Sequence, residues 1–274
     1  MSAEQRARFL DDVLDALSDP RAAMSEGRPH KKAKTRSLDM LGLHFRAIGR
    51  VVYLAEEMAV LYPGEEPFTP DVLAVVGVEE PDDDRRMAWV VVDEGKGLDL
   101  VLEVLHRGSR KKDLEENVER YARLGIPEYF VYDHGEERIR GFRLPPAGGK
   151  RYLPIVPQGG RYASAVLGID LAVEEGRLRF FHGMAELFGS DELIRRLTRM
   201  VREREAKAEQ AEASVERAVV ELRAAVLETL ELRGVAVAED HRARVSACDD
   251  LSTLGGWRRR AMTAAAADDV FSAD

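Results

Sequence analysis

A single cysteine, Cys248, stands in this chain of 274 residues, so it can form neither an internal disulfide framework nor a cysteine-based zinc cluster. No apolar run is long enough to cross a bilayer. The opening stretch, Met1 to Asp12, mixes Arg, Glu and Asp and has no continuous apolar region of the kind a secretory signal needs. These absences lead to the expectation of a cytoplasmic protein without membrane association. An excess of positive charge is lacking too: 41 Lys and Arg stand against 50 Asp and Glu, a net charge of -9. A protein that coats nucleic acid over its whole surface is thereby excluded, although a local basic groove is not. No Walker lysine motif and no nucleophile-elbow serine occurs, and none of the six histidines pairs at the spacing of a helical zinc site.

What is present is a charged, globular composition: 45% hydrophobic and 33% charged residues. The length suits one good-sized core plus an appendage, or two small domains. Residues Ala3 to Leu17 read as a helix with Phe9, Leu10, Val13, Leu14 and Leu17 at helical spacing. A polar, basic loop is expected around Ser25 to Thr35, then a helix over Leu38 to Ile48 ending at Gly49. Strand-like runs follow at Val51 to Leu54, Val72 to Val78, Trp89 to Val92 and Leu98 to Leu105, with Glu79 to Arg86 as an acidic exposed loop. Asp113 to Leu124 reads as a helix with Asp113 as N-cap, Glu116 in the capping-box position and Gly125 closing it. Tyr129 to Tyr132 is the next strand, so strand, helix and strand form a crossover unit on a mixed sheet. Further strands are expected near Ile139 to Phe142, Tyr152 to Val156, Ile169 to Val173 and Leu178 to Phe181, with a hairpin turn at Gln158-Gly159-Gly160.

Beyond Asp191 the pattern changes. Leu197, Val201, Ala208, Ala211, Val215, Ala218, Leu222 and Ala225 follow a three-four stagger among charges, broken by Arg204, which reads as a coiled coil or helical hairpin that joins copies of the chain, the alternative being one long helix packed on its own domain. The tail holds short helices with Val237, Val245, Leu251, Leu254, Trp257, Met262 and Phe271 as core and Cys248 as a small hydrophobe among them. The expected organisation is therefore an N-terminal helix (1–24), an α/β domain (25–186), a long helix (187–233) and a helical tail (234–274).

The most informative residue is Glu103, written inside Leu100-Val101-Leu102-Glu103-Val104-Leu105. A carboxylate in such a run is costly unless it is paired, protonated or bound to a cation. Pro70-Asp71 opens an earlier strand. Asp71 and Glu103 on neighbouring strands, with the Val104 carbonyl, would make an oxygen-rich half-shell for Mg²⁺ or Mn²⁺, which keep water and accept phosphate oxygens. The alternative is a Glu103 that faces solvent and an Asp71 that caps a turn. His106 has the opposite strand parity from Glu103 and is expected to make a sheet-end hydrogen bond, while His30 is expected as a surface histidine in a loop, from which the alternative is an approach to phosphate or the metal site. Two locally basic stretches, Arg28 to Arg36 and Arg107 to Lys112, matter only if they flank a reaction centre.

Taken together, Thr69-Pro70-Asp71-Val72-Leu73, Leu102-Glu103-Val104-Leu105, Asp113 and Tyr121 to Phe130 resemble the Uma-type family of restriction endonucleases, a branch of the PD-(D/E)XK nuclease superfamily. The resemblance runs from about Gly27 to Phe181. It implies a restriction-endonuclease-like fold, a mixed sheet flanked by helices, with Asp71 and Glu103 as metal-binding carboxylates. The superfamily's lysine would stand two residues after Glu103, where this chain has Leu105. The Uma-type lysine would stand four residues after Asp113, where this chain has Asn117. Asparagine can hydrogen-bond a water or phosphate but carries no charge. Lys111, Lys112 and Arg120 are the candidates to replace that charge, and Arg110, Lys111, Lys112 and Arg120 the candidates to contact a DNA backbone. The N-terminal helix stands where the family's strand hairpin is expected.

The implied function is a metal-dependent DNA endonuclease. Two others remain: a nuclease-fold interaction protein without catalysis, acting through its helical tail, and a hydrolase of small phosphate esters.

Overall fold

Strands β5 (Leu100–Leu105) and β6 (Glu128–Asp133) are buried at every position, because apolar side chains leave both faces of each and both faces are covered. These strands form the centre of the architecture. The computed structural model describes residues 3–17, 28–81, 86–105, 110–146 and 148–272, and the chain divides into two units, residues 1–193 and 194–274.

In the first unit the elements run in order from α1 (Ala3–Leu17) and α2 (Arg28–Ala47) to β1 (Val52–Glu56), β2 (Ala59–Leu61), β3 (Val72–Val76) and β4 (Ala88–Val90). A short α3 (Val91–Glu94) precedes β5, and α4 (Asn117–Leu124) joins β5 to β6. After β6 come β7 (Arg138–Arg143), β8 (Leu153–Pro154), β9 (Tyr162–Ser164), β10 (Ile169–Glu174), β11 (Arg177–His182) and β12 (Ala185–Glu186). Six strands form a mixed sheet in the order β1-β3-β5-β6-β7-β8, in which only β5 and β6 are parallel. Their connection through α4 is the crossover unit expected from the sequence. An antiparallel sheet, β12-β11-β10-β9, and a parallel pair, β2 and β4, complete this unit.

Alternation of side chains assigns the two faces of the central sheet to different cores. Val72, Ala74, Leu100, Leu102 and Val104 pack with Met40, Leu41 and Phe45 of α2 and with Leu171 and Phe180 of the second sheet. Leu73, Val75, Val101 and Leu105 pack instead with Val60, Trp89, Tyr121, Ala122 and Tyr129. Gly159 and Gly160 both have positive φ and link the paired Gln158 and Arg161, the backbone shape of a tight hairpin turn.

Several boundaries differ from the sequence reading. The stretch expected as a basic loop is the first half of α2, which begins at Arg28. Polar residues dominate it, yet His30, Lys34 and Ser37 are buried on the same stripe that continues into Leu41. Trp89 to Val92 is not one strand: it divides into β4 and α3. The helix after β5 is already helical at Arg110, with a wide π-turn at Lys112–Glu116. Asp113 is therefore inside the helix and does not cap it. Ser25, Asp82 to Asp84, His106 and Arg107 lie outside the described residues.

The second unit is built from most of α5 (Ser190–Leu232), α6 (Glu239–Ala247), α7 (Leu251–Ala261) and α8 (Asp268–Phe271). Val219, Val226, Leu230, Val245, Leu254, Trp257, Val270 and Phe271 form its core. Asp250 caps α7 by accepting from the Thr253 N–H at 2.7 Å. Met262, expected inside, is 55% exposed. No helix among the described residues is long and apolar enough to cross a membrane.

Candidate active site

The antiparallel register pairs Val72 with Leu102, so one step further Asp71 stands opposite Glu103, with both side chains on the same face. The two are interlocked. The Asp71 N–H donates to Glu103 Oε2 at 3.1 Å, and the Val104 N–H donates to Asp71 Oδ2 at 2.7 Å. A strand residue points its N–H and C=O to the same side, so the Val104 carbonyl also faces this edge, beyond the last paired residue of β3.

Glu103 is 5% exposed. Its other oxygen, Oε1, accepts from the Tyr121 hydroxyl at 2.9 Å. Neither donor is charged. Burial above all, and then the charges of Asp71 and Asp113, push Glu103 well above the usual carboxylate range, against the two hydrogen bonds it accepts. Asp71 differs. Burial alone would raise it, but the hydrogen bonds from His30 and Val104 and the proximity of His30 and Lys34 outweigh that and hold it low. Without a further cation Glu103 therefore takes up a proton before Asp71 does. The contrast with Glu128, also fully buried, is instructive. Arg143 Nε pairs with Glu128 Oε1 at 2.6 Å, and the Ser164 hydroxyl and the Ala165 N–H complete its shell, so that carboxylate is already satisfied as structure.

A third carboxylate acts on the pair through its charge. Asp113 is buried, and Asn117 Nδ2 donates to its Oδ1 at 3.1 Å. The Tyr129 hydroxyl donates to the Asp113 carbonyl at 2.8 Å and fixes this turn to the sheet. Burial raises Asp113 to about 6, with the charge of Asp71 adding to it and Lys112 and Asn117 opposing it. Asn117 is buried, and its amide is engaged by Asp113.

Two residues of α2 reach the site: His30, for which this approach is the less favoured alternative in the sequence, and Lys34, which the sequence does not single out there. His30 Nε2 lies 3.0 Å from Asp71 Oδ1, on a helix and not in a surface loop. One turn later Lys34 places Nζ 3.5 Å from the same oxygen and also pairs with Glu57. The spacing of His30, Lys34, Ser37 and Leu41 carried the signal, because it continues the apolar stripe of α2 toward its N-terminus.

The expected basic residues are placed differently from one another. Arg110 is engaged by Asp133 at 2.8 Å and Glu136 at 2.7 Å. Arg120 is held by Glu65 at 3.2 Å and the Glu66 carbonyl, with its guanidinium over the Phe68 ring. Lys111 is exposed, 3.4 Å from Glu116. Lys112 is exposed and close enough to act on Asp113 electrostatically.

The family model described as "Putative restriction endonuclease", Uma2, matches residues 20–174, more than half of the chain. The chain belongs to the Uma2 family. A solved structure, described as a "putative nuclease belonging to DUF820" from Anabaena variabilis ATCC 29413, is similar at 13% identity and a TM-score of 0.41, covering 53% of this chain and 76% of that one. No curated protein matches the sequence. The matched Uma2 segment contains Asp71, Glu103, Asp113 and Asn117 as well as His30 and Lys34, so both helices that border the carboxylates are part of the family domain.

The donor set decides which cation would suit this Uma2 site. The carboxylate and carbonyl groups at the Asp71–Glu103 edge are hard oxygens; His30 Nε2 and Lys34 Nζ already lie against Asp71 Oδ1, and the other carboxylate oxygens keep lone-pair capacity beside the bond each accepts. Among the described residues no three His, Cys, Asp or Glu side chains form a ready metal cage. An ion that takes two carboxylates and a carbonyl and fills its other positions with water or phosphate fits such an edge, and Mg²⁺ and Mn²⁺ behave in this way.

Proposed function

We propose that this Uma2-family protein hydrolyses phosphodiester bonds of DNA with a divalent cation, Mg²⁺ or Mn²⁺, held by Asp71, Glu103 and the Val104 carbonyl. The observation that carries this reading is Glu103: a buried carboxylate beside two others, with only neutral hydrogen-bond donors. Burial keeps this group protonated, and a cation is the partner that would let it ionise in place.

Bound there, the ion would supply Lewis-acid stabilisation of a phosphate oxygen and a coordinated water. The chain's own residues do the rest. Tyr121 and the Asp71 N–H hold Glu103 in place, and His30 and Lys34 keep Asp71 ionised. Asn117 occupies one oxygen of Asp113 and leaves Oδ2 to take a proton; a carboxyl near 6 is poised for that transfer close to neutral pH. Water oxygen bonds to phosphorus, the bond from phosphorus to the leaving sugar oxygen breaks, the water proton passes to Asp113, and the leaving oxygen is protonated from solvent. The exposed Lys111 and Lys112 on one side and Lys31, Lys32 and Arg36 on α2 are available for backbone phosphates.

The test is cleavage of mixed single- and double-stranded DNA in Mg²⁺ and in Mn²⁺ by wild type, Asp71→Ala and Glu103→Gln. The reading requires metal-dependent cleavage that both substitutions abolish. A non-catalytic interaction protein would bind DNA or a partner equally well with all three chains and cut with none.

The same reading includes self-association through α5. Leu197, Val201 and Val215 are 60%, 54% and 51% exposed on this 43-residue helix, a seam that a second copy would cover as a coiled coil. Sedimentation of wild type against Leu197→Glu/Val201→Glu tests it, with a smaller species expected for the double variant.

A further inference from the structure

Asn117 leaves the position four residues after Asp113 without a positive charge, although phosphodiester hydrolysis develops negative charge on the phosphate oxygens and gains most from a fixed positive group beside them. Of the residues that could replace that charge, Arg120 is committed to Glu65 and Glu66, Lys111 is exposed beside Glu116, and Lys112 is exposed and acts on Asp113 through its charge alone. On the opposite border of Asp71, α2 presents a different lysine. Lys34 is 2% exposed, with Nζ 3.5 Å from Asp71 Oδ1.

A lysine side chain gives up about 2 kcal/mol of rotamer freedom when fixed and is almost never buried to this degree unless paired. Glu57 provides one partner. That residue sits in a left-handed backbone conformation, φ 52, between β1 and β2, a conformation uncommon for side chains other than glycine, asparagine and aspartate. Its carboxylate is about half exposed, whereas the ammonium it holds is buried at the carboxylate edge. A purely structural ion pair does not need this arrangement, because an exposed glutamate is served equally by an exposed lysine. Helix geometry explains the direction: His30 and Lys34 are one turn apart on one stripe, anchored below by Leu41 and Phe45 in the core.

We propose that Lys34, delivered from α2, supplies the cationic charge that Asn117 cannot, facing a non-bridging oxygen of the phosphate bound beside Asp71, with Glu57 fixing the ammonium. The proposal rests on the metal-dependent phosphodiesterase reading above. It makes the site's positive group migrate from the helix that follows β5 to the helix that precedes β1, with the carboxylates unchanged.

The experiment compares wild type, Lys34→Met, Lys34→Arg, Asn117→Lys and Lys34→Met/Asn117→Lys in full-length protein, by steady-state DNA cleavage in Mg²⁺, by Mn²⁺ binding and by thermal unfolding. The expected result is a fall in kcat on the order of 10²-fold for Lys34→Met, with KM and Mn²⁺ affinity little changed, because His30 and the Val104 N–H, which act on Asp71 more strongly than Lys34 does, still hold it ionised. Lys34→Arg should retain part of the rate, and the double variant should regain about tenfold or more of it. A purely structural lysine would lose Mn²⁺ affinity and thermal stability together with the rate and gain nothing from Asn117→Lys, and that outcome overturns the proposal. So does a Lys34→Met enzyme with wild-type kcat. An inactive wild type that cleaves once Asn117→Lys is introduced shows that Lys34 does not serve, while leaving the metal-site reading intact. A wild type that neither cleaves nor binds Mn²⁺ at Asp71 removes both.

Discussion

Asp71 and Glu103 each depend on the other's strand: the Asp71 N–H is bound by the Glu103 carboxylate, and the Asp71 carboxylate is bound by the N–H that follows Glu103. Substitutions at the two positions should therefore be strongly non-additive. Glu103→Gln keeps an oxygen for the Asp71 N–H but removes the charge. Cleavage should fall about 10²- to 10³-fold, as when one electrostatic group of a reaction centre is lost. The unfolding midpoint without metal should stay level at weakly acidic pH and exceed that of wild type as pH rises, because the amide cannot ionise beside Asp71 and Asp113. Parallel measurement of rate and midpoint checks both.

Metal-free protein should lose stability as pH rises through the weakly acidic range. Glu103 and Asp113 are both raised in the folded chain, Asp113 from 3.8 to about 6. A raised acid favours the fold fully below its unfolded value, and that advantage is lost as pH climbs through the folded one. Asp71 is lowered, so its contribution has the opposite sign and is lost only on acidification below its unfolded value of 3.8. Between about pH 4 and pH 7 the raised pair dominates, with at most about 3 kcal/mol from Asp113. Thermal melts in chelator should show this decline, and Mg²⁺ should flatten it by favouring the ionised carboxylates.

Tyr121→Phe removes one hydroxyl and leaves the ring packed against Phe68 and Tyr129. Burial, followed by the charge of Glu103, pushes the Tyr121 phenol well above its ordinary value, so it stays a donor at all working pH values. Its loss should cost about 1–3 kcal/mol, the range for a buried hydrogen bond to a charged group. It should also loosen Glu103, lowering metal affinity about 10-fold. Calorimetric titration of the variant with Mn²⁺ is the check.

The two tryptophans report on different units. Trp89 is buried in the core of the first, and Trp257 in the helical core of the second. Single-tryptophan variants, Trp257→Phe and Trp89→Phe, should give urea transitions with different midpoints, since each unit has its own core. Coincident transitions would show that the units unfold together.

What the sequence revealed follows from how strongly each residue breaks its local pattern. Glu103 was conspicuous because an acid interrupts an apolar run, and the β5–α4–β6 crossover was legible because the hydrophobic period changes from two to helical and back. Asp113 was misread as an N-cap because an aspartate ahead of a helical run ordinarily caps it; the π-turn that makes it an interior residue has no simple sequence signal. Lys34 is hidden in a run of charges that reads as a solvated loop, and the same run favours a surface position for His30 over its approach to the site, although their four-residue spacing belongs to the buried stripe of α2. The β2–β4 pair, three residues in each strand, is too short for alternation to declare itself.

The account rests on one hard cation meeting the side chains of Asp71 and Glu103. Mn²⁺ binding to the full-length protein near neutral pH, measured for wild type, Asp71→Asn and Glu103→Gln, tests this most directly. One site in the wild type, weakened about tenfold or more by either substitution alone, is the expected result. Equal Mn²⁺ affinity in all three chains would contradict it.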